Sequence, residues 1–459
     1  MTFSKETYIN RRKTLAENFE NGIIILCGND LVPMNYASNT YHFVQDATFL
    51  YYFGINKEGY IGLIDVDNQK EYLYGSNPNI EDIIWEGDLP SLDSIAKQIG
   101  VQNTIDYVEL SNLLKDKQVY YTNQYSPNSK LKLAELLNEN PYKINEKSSY
   151  KLMEMIARQR NKKSSEEIEI MEMEAKVGKA MHLKALEISK VNMKEYEVEA
   201  EIRKVALENN SQLSFPSIVT VNGQILHNPN YNGTLEEGRL LLVDAGSRGI
   251  HGYCSDMTST IPVGGRFTPK QKDMYELLIE MYEKAESLIK PKIPYKEVHL
   301  EVCKVLTKGM IEKGLMTGEV EEIVSKGAHA LFMPHGLGHM IGLDVHDMEN
   351  FGEELVGYGG EIKSTQFGLS SLRLGRMLEE GFVFTVEPGI YFIPQLINKW
   401  RDEKKFVEFI NYEKVEEYIN FGGMRYEGDY VITSNGARLL GGYRPRHAHE
   451  IEEYMNGKK

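Results

Sequence analysis

The apolar residues of this chain fall into two regimes. Up to about residue 150, short unbroken apolar runs alternate with polar stretches: 22–27 (GIIILC), 48–53 (TFLYYF) and 60–66 (YIGLIDV). Runs of this length read as buried strands. The segment 131–137 (LKLAELL) has helical spacing, and 138–149 (NENPYKINEKSS) is polar, carries a proline and reads as a connection. From about residue 155 the period changes. Ser164 and Glu167 form a Ser-x-x-Glu capping box, and Ile168, Met171 and Ala175 follow at helical spacing. A second helix fits 196–207, with Val198, Ile202, Val205 and Ala206 on one face. Thr268-Pro-Lys-Gln271 opens a third, with a threonine cap and a proline in the first turn. Between the helices lie strand-like runs at 240–243 (LLLV), 382–386 (FVFTV) and 430–433 (YVIT). The expected fold is therefore α+β from about residue 156 to 459, preceded by a smaller α/β domain over 1–155.

Composition narrows the function more than the fold. The 459 residues are 41% apolar and 26% charged, enough for a sizeable core. The net charge of −15 argues against nucleic acid as a partner, because its backbone needs a basic face. No apolar stretch approaches the ~20 residues of a membrane span. The opening MTFSKETYINRRK lacks the apolar core of a secretory signal, and the three cysteines, Cys27, Cys254 and Cys303, are far apart. A reducing cytoplasm without a disulfide framework is expected.

Candidate chemistry concentrates in four segments that place metal-type side chains at strand ends or among glycines. Leu242-Val-Asp-Ala-Gly246 ends an apolar run in Asp244; Tyr253-Cys-Ser-Asp-Met-Thr258 presents Asp256. Met333-Pro-His-Gly-Leu-Gly-His-Met-Ile-Gly-Leu-Asp-Val-His346 carries His335, His339 and His346. Glu387 and Glu427 close the set, in Phe384-Thr-Val-Glu-Pro-Gly-Ile-Tyr391 and Phe421-Gly-Gly-Met-Arg-Tyr-Glu427. Each segment alone is a common turn or loop. Four carboxylates and one imidazole buried together would repel one another strongly. Two divalent cations would balance the four charges, and oxygen ligands with one imidazole suit a hard metal such as Mn²⁺. Metals ~3.5–4 Å apart can share carboxylates and activate a water.

In this order and context, Asp244, Asp256, His339, Glu387 and Glu427 resemble the five ligands of the pita-bread metallopeptidases. Within that group the chain is most similar to aminopeptidase P and prolidase. Phe43-Val-Gln-Asp-Ala-Thr-Phe-Leu-Tyr-Tyr-Phe-Gly54 resembles a block of their N-terminal domain, Leu226-His227 matches a substrate-side histidine, and His335-Gly-Leu-Gly-His339 with Leu343-Asp-Val-His-Asp347 is a specific match. The resemblance implies a C-terminal pita-bread domain, with a curved antiparallel sheet holding the site on its concave side. It implies two divalent metals, Mn²⁺ expected, and hydrolysis of the bond before a proline in second position. The lean is to an Xaa-Pro aminopeptidase acting on peptides. Arg373 and the long insert 393–420 look more like prolidase, which splits dipeptides. A metal-free binding protein on the same fold is disfavoured by the complete ligand set. Family members are often dimers or tetramers, so a homo-oligomer is expected.

The resemblance also assigns roles. Glu387 is expected to be both ligand and acid/base. His227 and His346 would face the substrate, with His335 on the substrate side or behind the ligands. Arg373 would anchor a carboxylate, while Tyr391 and Arg425 would steady the ligands. Three departures stand out. The turn at 247–252 is one residue longer than expected. Asp256-Met-Thr-Ser-Thr260 has Ser259 where the family's usual pattern has an arginine. Gly428 follows Glu427 where an acidic residue is common.

Overall fold

A computed structural model describes residues 2–457. Contacts divide them into two compact units: one runs to Arg160 and takes in Met348–Gly352, the other holds Asn161–Asp347 and the chain from Glu353 onward. The division falls at the end of the helix Tyr150–Asn161.

The first unit is built on a five-stranded mixed sheet. Ile23–Cys27 lies between Ile61–Asp65, antiparallel to it, and Val119–Tyr120, parallel; Lys70–Tyr74 and Asn103–Ile105 extend the other edge. The runs at 22–27 and 60–66 therefore hold the strands Ile23–Cys27 and Ile61–Asp65, each buried along its whole length. Leu110, Leu133 and Ile144 close one core against them. The run at 48–53 is not a strand. It is the helix Ala47–Phe53, every residue of it buried. Asp46 accepts the Phe49 N–H at 2.8 Å, and Gly54 ends the helix with φ of 66°. These two caps decide the matter, because an all-apolar run has no period to distinguish helix from strand.

In the second unit the helices start where the caps predict. Ser164 and Glu167 form a reciprocal capping box on Ser165–Ile188, and Thr268 with Gln271 does the same for Pro269–Leu288. Helix Glu195–Glu208 packs on the first of these and Tyr295–Glu312 on the second. The strands are short and antiparallel. Leu240–Asp244 sits between Ile218–Thr220 and Thr258–Pro262, with Asp244 opposite Thr258. Val383–Val386 pairs with Gly428–Ile432, and Gly389–Tyr391 with Gly423–Arg425. Glu427 N–H donates to the Thr258 carbonyl at 3.1 Å, joining the two strand groups at the point where the acidic residues lie. Among the described residues no helix is long and apolar enough to cross a membrane.

Candidate metal centre

Strand ends deliver the acidic side chains. Asp244 is the last residue of its strand, and Asp256 stands two residues before the paired strand begins. Glu387 follows Val383–Val386, and Glu427 precedes Gly428–Ile432. His339 comes from a loop held edge-on to the same strands. Its carbonyl accepts from Thr385 N–H at 3.0 Å, and Leu337 O accepts from Glu387 N–H at 2.8 Å. Gly338 allows this approach, since a Cβ there would lie 2.0 Å from Thr385 O.

Asp256, His339 and Glu427 bring one potential ligand atom each within 4.8 Å of one another. Asp244 is 8% exposed and Glu427 2%. The His339 Nε2 lies 3.5 Å from Asp256 Oδ2 and 3.8 Å from Glu387 Oε1. His339 Nδ1 is 3.1 Å from the Met340 carbonyl, which only accepts, so Nδ1 carries the proton and Nε2 presents a lone pair. Burial, with His346 next to it, also holds this imidazole well below the usual histidine range. The lone pair of Nε2 thus faces the carboxyl oxygens of Asp256 and Glu387.

The carboxyls are similarly frustrated. Burial first, then their neighbours, pushes Asp256 and Glu427 well above the usual carboxylate range, and burial moves Glu387 up to about 7. Asp244 Oδ1 and Asp256 Oδ1 are buried without a hydrogen-bond partner. Such a donor set fits divalent cations: they would satisfy the orphaned oxygens and let the carboxyls ionise.

Positive charge and hydroxyls steady the cluster. Arg425 donates through Nη2 to Asp244 Oδ2, through Nη1 to Tyr391 Oη at 2.6 Å, and through Nε to Thr258 Oγ1 at 3.1 Å. Thr258 Oγ1 in turn donates to Glu427 Oε2 at 2.7 Å. Both nitrogens of His335 are committed: Nδ1 donates to Gly336 O at 2.7 Å, and Nε2 accepts from Tyr391 Oη at 3.0 Å. His335 therefore has no lone pair for a cation. The His346 ring stands 4.1 Å from that of His339. His227 and Arg373 line the same cleft of ≈ 960 Å³, which also contains all five candidate ligands.

Four contributors were not visible in the sequence. Asp429 Oδ2 accepts the Asp256 N–H at 3.0 Å, and burial lifts its carboxyl to about 8. Arg444, 3% exposed, donates to the carbonyls of Thr258 (2.5 Å) and Glu427, bracing both from behind. His182 donates to Ala245 O at 3.0 Å, next to Asp244. Glu353 lines the cleft beside Arg373. The departure at Gly428 leaves no side chain there. A Cβ would meet Tyr282 Oη at 2.8 Å and stand 3.9 Å from Arg444 Nη1.

Residues 169–434 match metallopeptidase family M24, and residues 8–123 match the aminopeptidase P N-terminal domain. The chain is 30% identical to Xaa-Pro dipeptidase of Mus musculus over 469 residues, covering 98% of this chain and 93% of the other. It is 28% identical to Xaa-Pro aminopeptidase of Escherichia coli K12 over 470 residues, covering 98% of each. The structure of Pseudomonas aeruginosa aminopeptidase PepP superposes with a TM-score of 0.83 at 28% identity, over 99% of each chain.

Proposed function

Because the chain belongs to metallopeptidase family M24, whose match spans residues 169–434 of 459, we propose that it cleaves the bond between an N-terminal residue and a following proline. It is a metallopeptidase of the pita-bread fold. The observation that carries the proposal is the convergence of Asp244, Asp256, Glu387 and Glu427 with the unprotonated Nε2 of His339. Two divalent cations, Mn²⁺ by preference, would bind there; when bound, they supply charge neutralisation, acidification of water and polarisation of the scissile carbonyl.

The remaining work belongs to the chain. Glu387, which lines the cleft with its Oε1 3.8 Å from His339 Nε2, is placed to take a proton from the attacking water and return it to the departing proline nitrogen. His346 and His227 face the cleft as hydrogen-bond partners for the scissile carbonyl and the leaving nitrogen. His335 acts through Tyr391, and Arg425 holds Asp244, Thr258 and Tyr391 in one register. Asp244, Asp256, His339, Glu387 and Glu427 are the proposed ligands.

Our reading is an Xaa-Pro aminopeptidase acting on peptides. A second reading, an Xaa-Pro dipeptidase, draws support from Arg373, whose guanidinium in the cleft suits a dipeptide's terminal carboxylate. Turnover of Ala-Pro-Ala and Ala-Pro by the Mn²⁺-loaded enzyme separates them, and cleavage of the dipeptide alone would leave only the second. Three buried, unpaired cysteines support a cytoplasmic location. A homo-oligomer is supported by apolar side chains on the first unit's surface: Tyr36 and Tyr41 around its hairpin, and Ile84 and Trp85 on the helix Ile80–Glu86. Light scattering that gives one chain's mass at micromolar concentration would count against it.

A further inference from the structure

One carboxylate lining the cleft stands outside the metal cluster. Glu353 Oε1 lies 3.4 Å from Arg373 Nε, and its Oε2 pairs with Lys363 Nζ. The juxtaposition is built into the backbone. Glu353 opens the helix Glu353–Val356, and its carbonyl accepts from Gly357 N–H at 2.8 Å. Gly357 O then accepts from both Gly375 and Arg376 N–H at 2.9 Å, and Tyr358 Oη donates to Leu372 O at 2.9 Å. The chain just after Glu353 is thus stitched to the chain on both sides of Arg373. The two side chains still reach solvent, 27% and 35% exposed, so a ligand can contest their pairing.

We propose that Glu353 is a specificity-determining residue: an internal anion on Arg373 that a substrate's terminal carboxylate must displace. The inference rests on the reading of Arg373 as a carboxylate anchor. A dipeptide, or proline itself, brings a second negative charge to a guanidinium that already has one. A longer peptide presents an uncharged amide there and meets no such competition. Lys363 offsets part of the Glu353 charge, so it weakens that competition. Glu353 therefore tilts the enzyme towards peptides longer than two residues.

The test uses two small probes that differ only in that charge and are not hydrolysed. Dissociation constants of L-proline and L-prolinamide are measured calorimetrically on the Mn²⁺-loaded enzyme, for wild type, Glu353→Gln and Lys363→Gln. Glu353→Gln should tighten proline by at least about threefold, at or above the usual worth of a partly exposed ion pair, with prolinamide unchanged. Lys363→Gln should shift the ratio the other way. Glu353→Asp, which keeps the charge, should retain the wild-type ratio. An unchanged ratio in Glu353→Gln, or weaker proline binding, would overturn the proposal, since Glu353 would then merely orient Arg373. Failure of either probe to bind wild type would overturn it too. Failure of the functional reading shows separately, as no turnover of Ala-Pro or Ala-Pro-Ala by wild type.

Discussion

Lys163 and Asp347 form an ion pair at 2.9 Å with both side chains only 1% exposed, and this burial makes Lys163→Met a sharp test of how the site is supported. Asp347 follows His346 in sequence, and its N–H donates to Met340 O at 2.9 Å, so it fixes the loop that carries His339 and His346. Lys163 is held in turn by its N–H to Gly381 O at 2.8 Å. Removing the ammonium breaks a buried ion pair and takes one partner from the Asp347 carboxylate, which costs about 3–5 kcal/mol. Against a domain stability of about 5–15 kcal/mol that is a large fraction. The chain has two tryptophans, Trp85 at 85% exposure in the first unit and Trp400 at 2% in the second. In a Trp85→Phe background, Trp400 fluorescence therefore follows unfolding of the second unit alone. Guanidinium titrations of Lys163→Met, Asp347→Asn and the double variant form a cycle. The double variant should recover at least about 2 kcal/mol of the summed single-variant losses, because both singles break the same buried pair. A loss below about 1 kcal/mol in Lys163→Met, or additive single effects, would refute the reasoning.

Other outcomes follow from the same geometry. His299 is buried, and burial, then His329 and His335, lowers its pKa to about 3. Since the unfolded side chain takes up its proton near pH 6.5, stability present above that pH is lost as pH falls towards 3, by about 2 kcal/mol between pH 7 and 5. His299→Gln should flatten the acid slope of denaturant stability by that amount, and an unchanged slope would contradict it. Gly338→Ala drives a methyl into Thr385 O, so it should cost about 3 kcal/mol or more and lower bound metal by elemental analysis; wild-type metal content and melting temperature would contradict the packing. Arg444→Met removes the donors behind Thr258 and Glu427 and should weaken Mn²⁺ binding about tenfold or more; an unchanged titration would show the brace to be dispensable.

What could be read in advance, and what could not, divides by the range of the interaction. The Ser164–Glu167 and Thr268–Gln271 boxes are contacts between residues three apart, so their chemistry is spelled out locally. The five candidate ligands stand out because each lies at a strand end or among glycines, and the cleft contains them all. The helix Ala47–Phe53 was hidden because its seven residues are buried on every side, and only Asp46 and Gly54 mark its ends. Arg444 and Asp429 reach their partners across 186 and 173 residues, and nothing in their neighbourhoods announces those contacts. Glu353 depends on backbone stitching between two loops whose approach no periodicity encodes. Local chemistry singles out the candidate ligands; tertiary contacts decide what surrounds them.

The most direct test of the central claim is release of alanine from Ala-Pro-Ala by protein stripped with a chelator and then titrated with Mn²⁺, for wild type and Glu387→Ala. The stripped wild type should release none, recovery should saturate as Mn²⁺ is added, and the variant should stay inactive at saturating metal. Release by the stripped protein, full activity in Glu387→Ala, or no release of alanine from Ala-Pro-Ala or Ala-Pro with any divalent metal would contradict it.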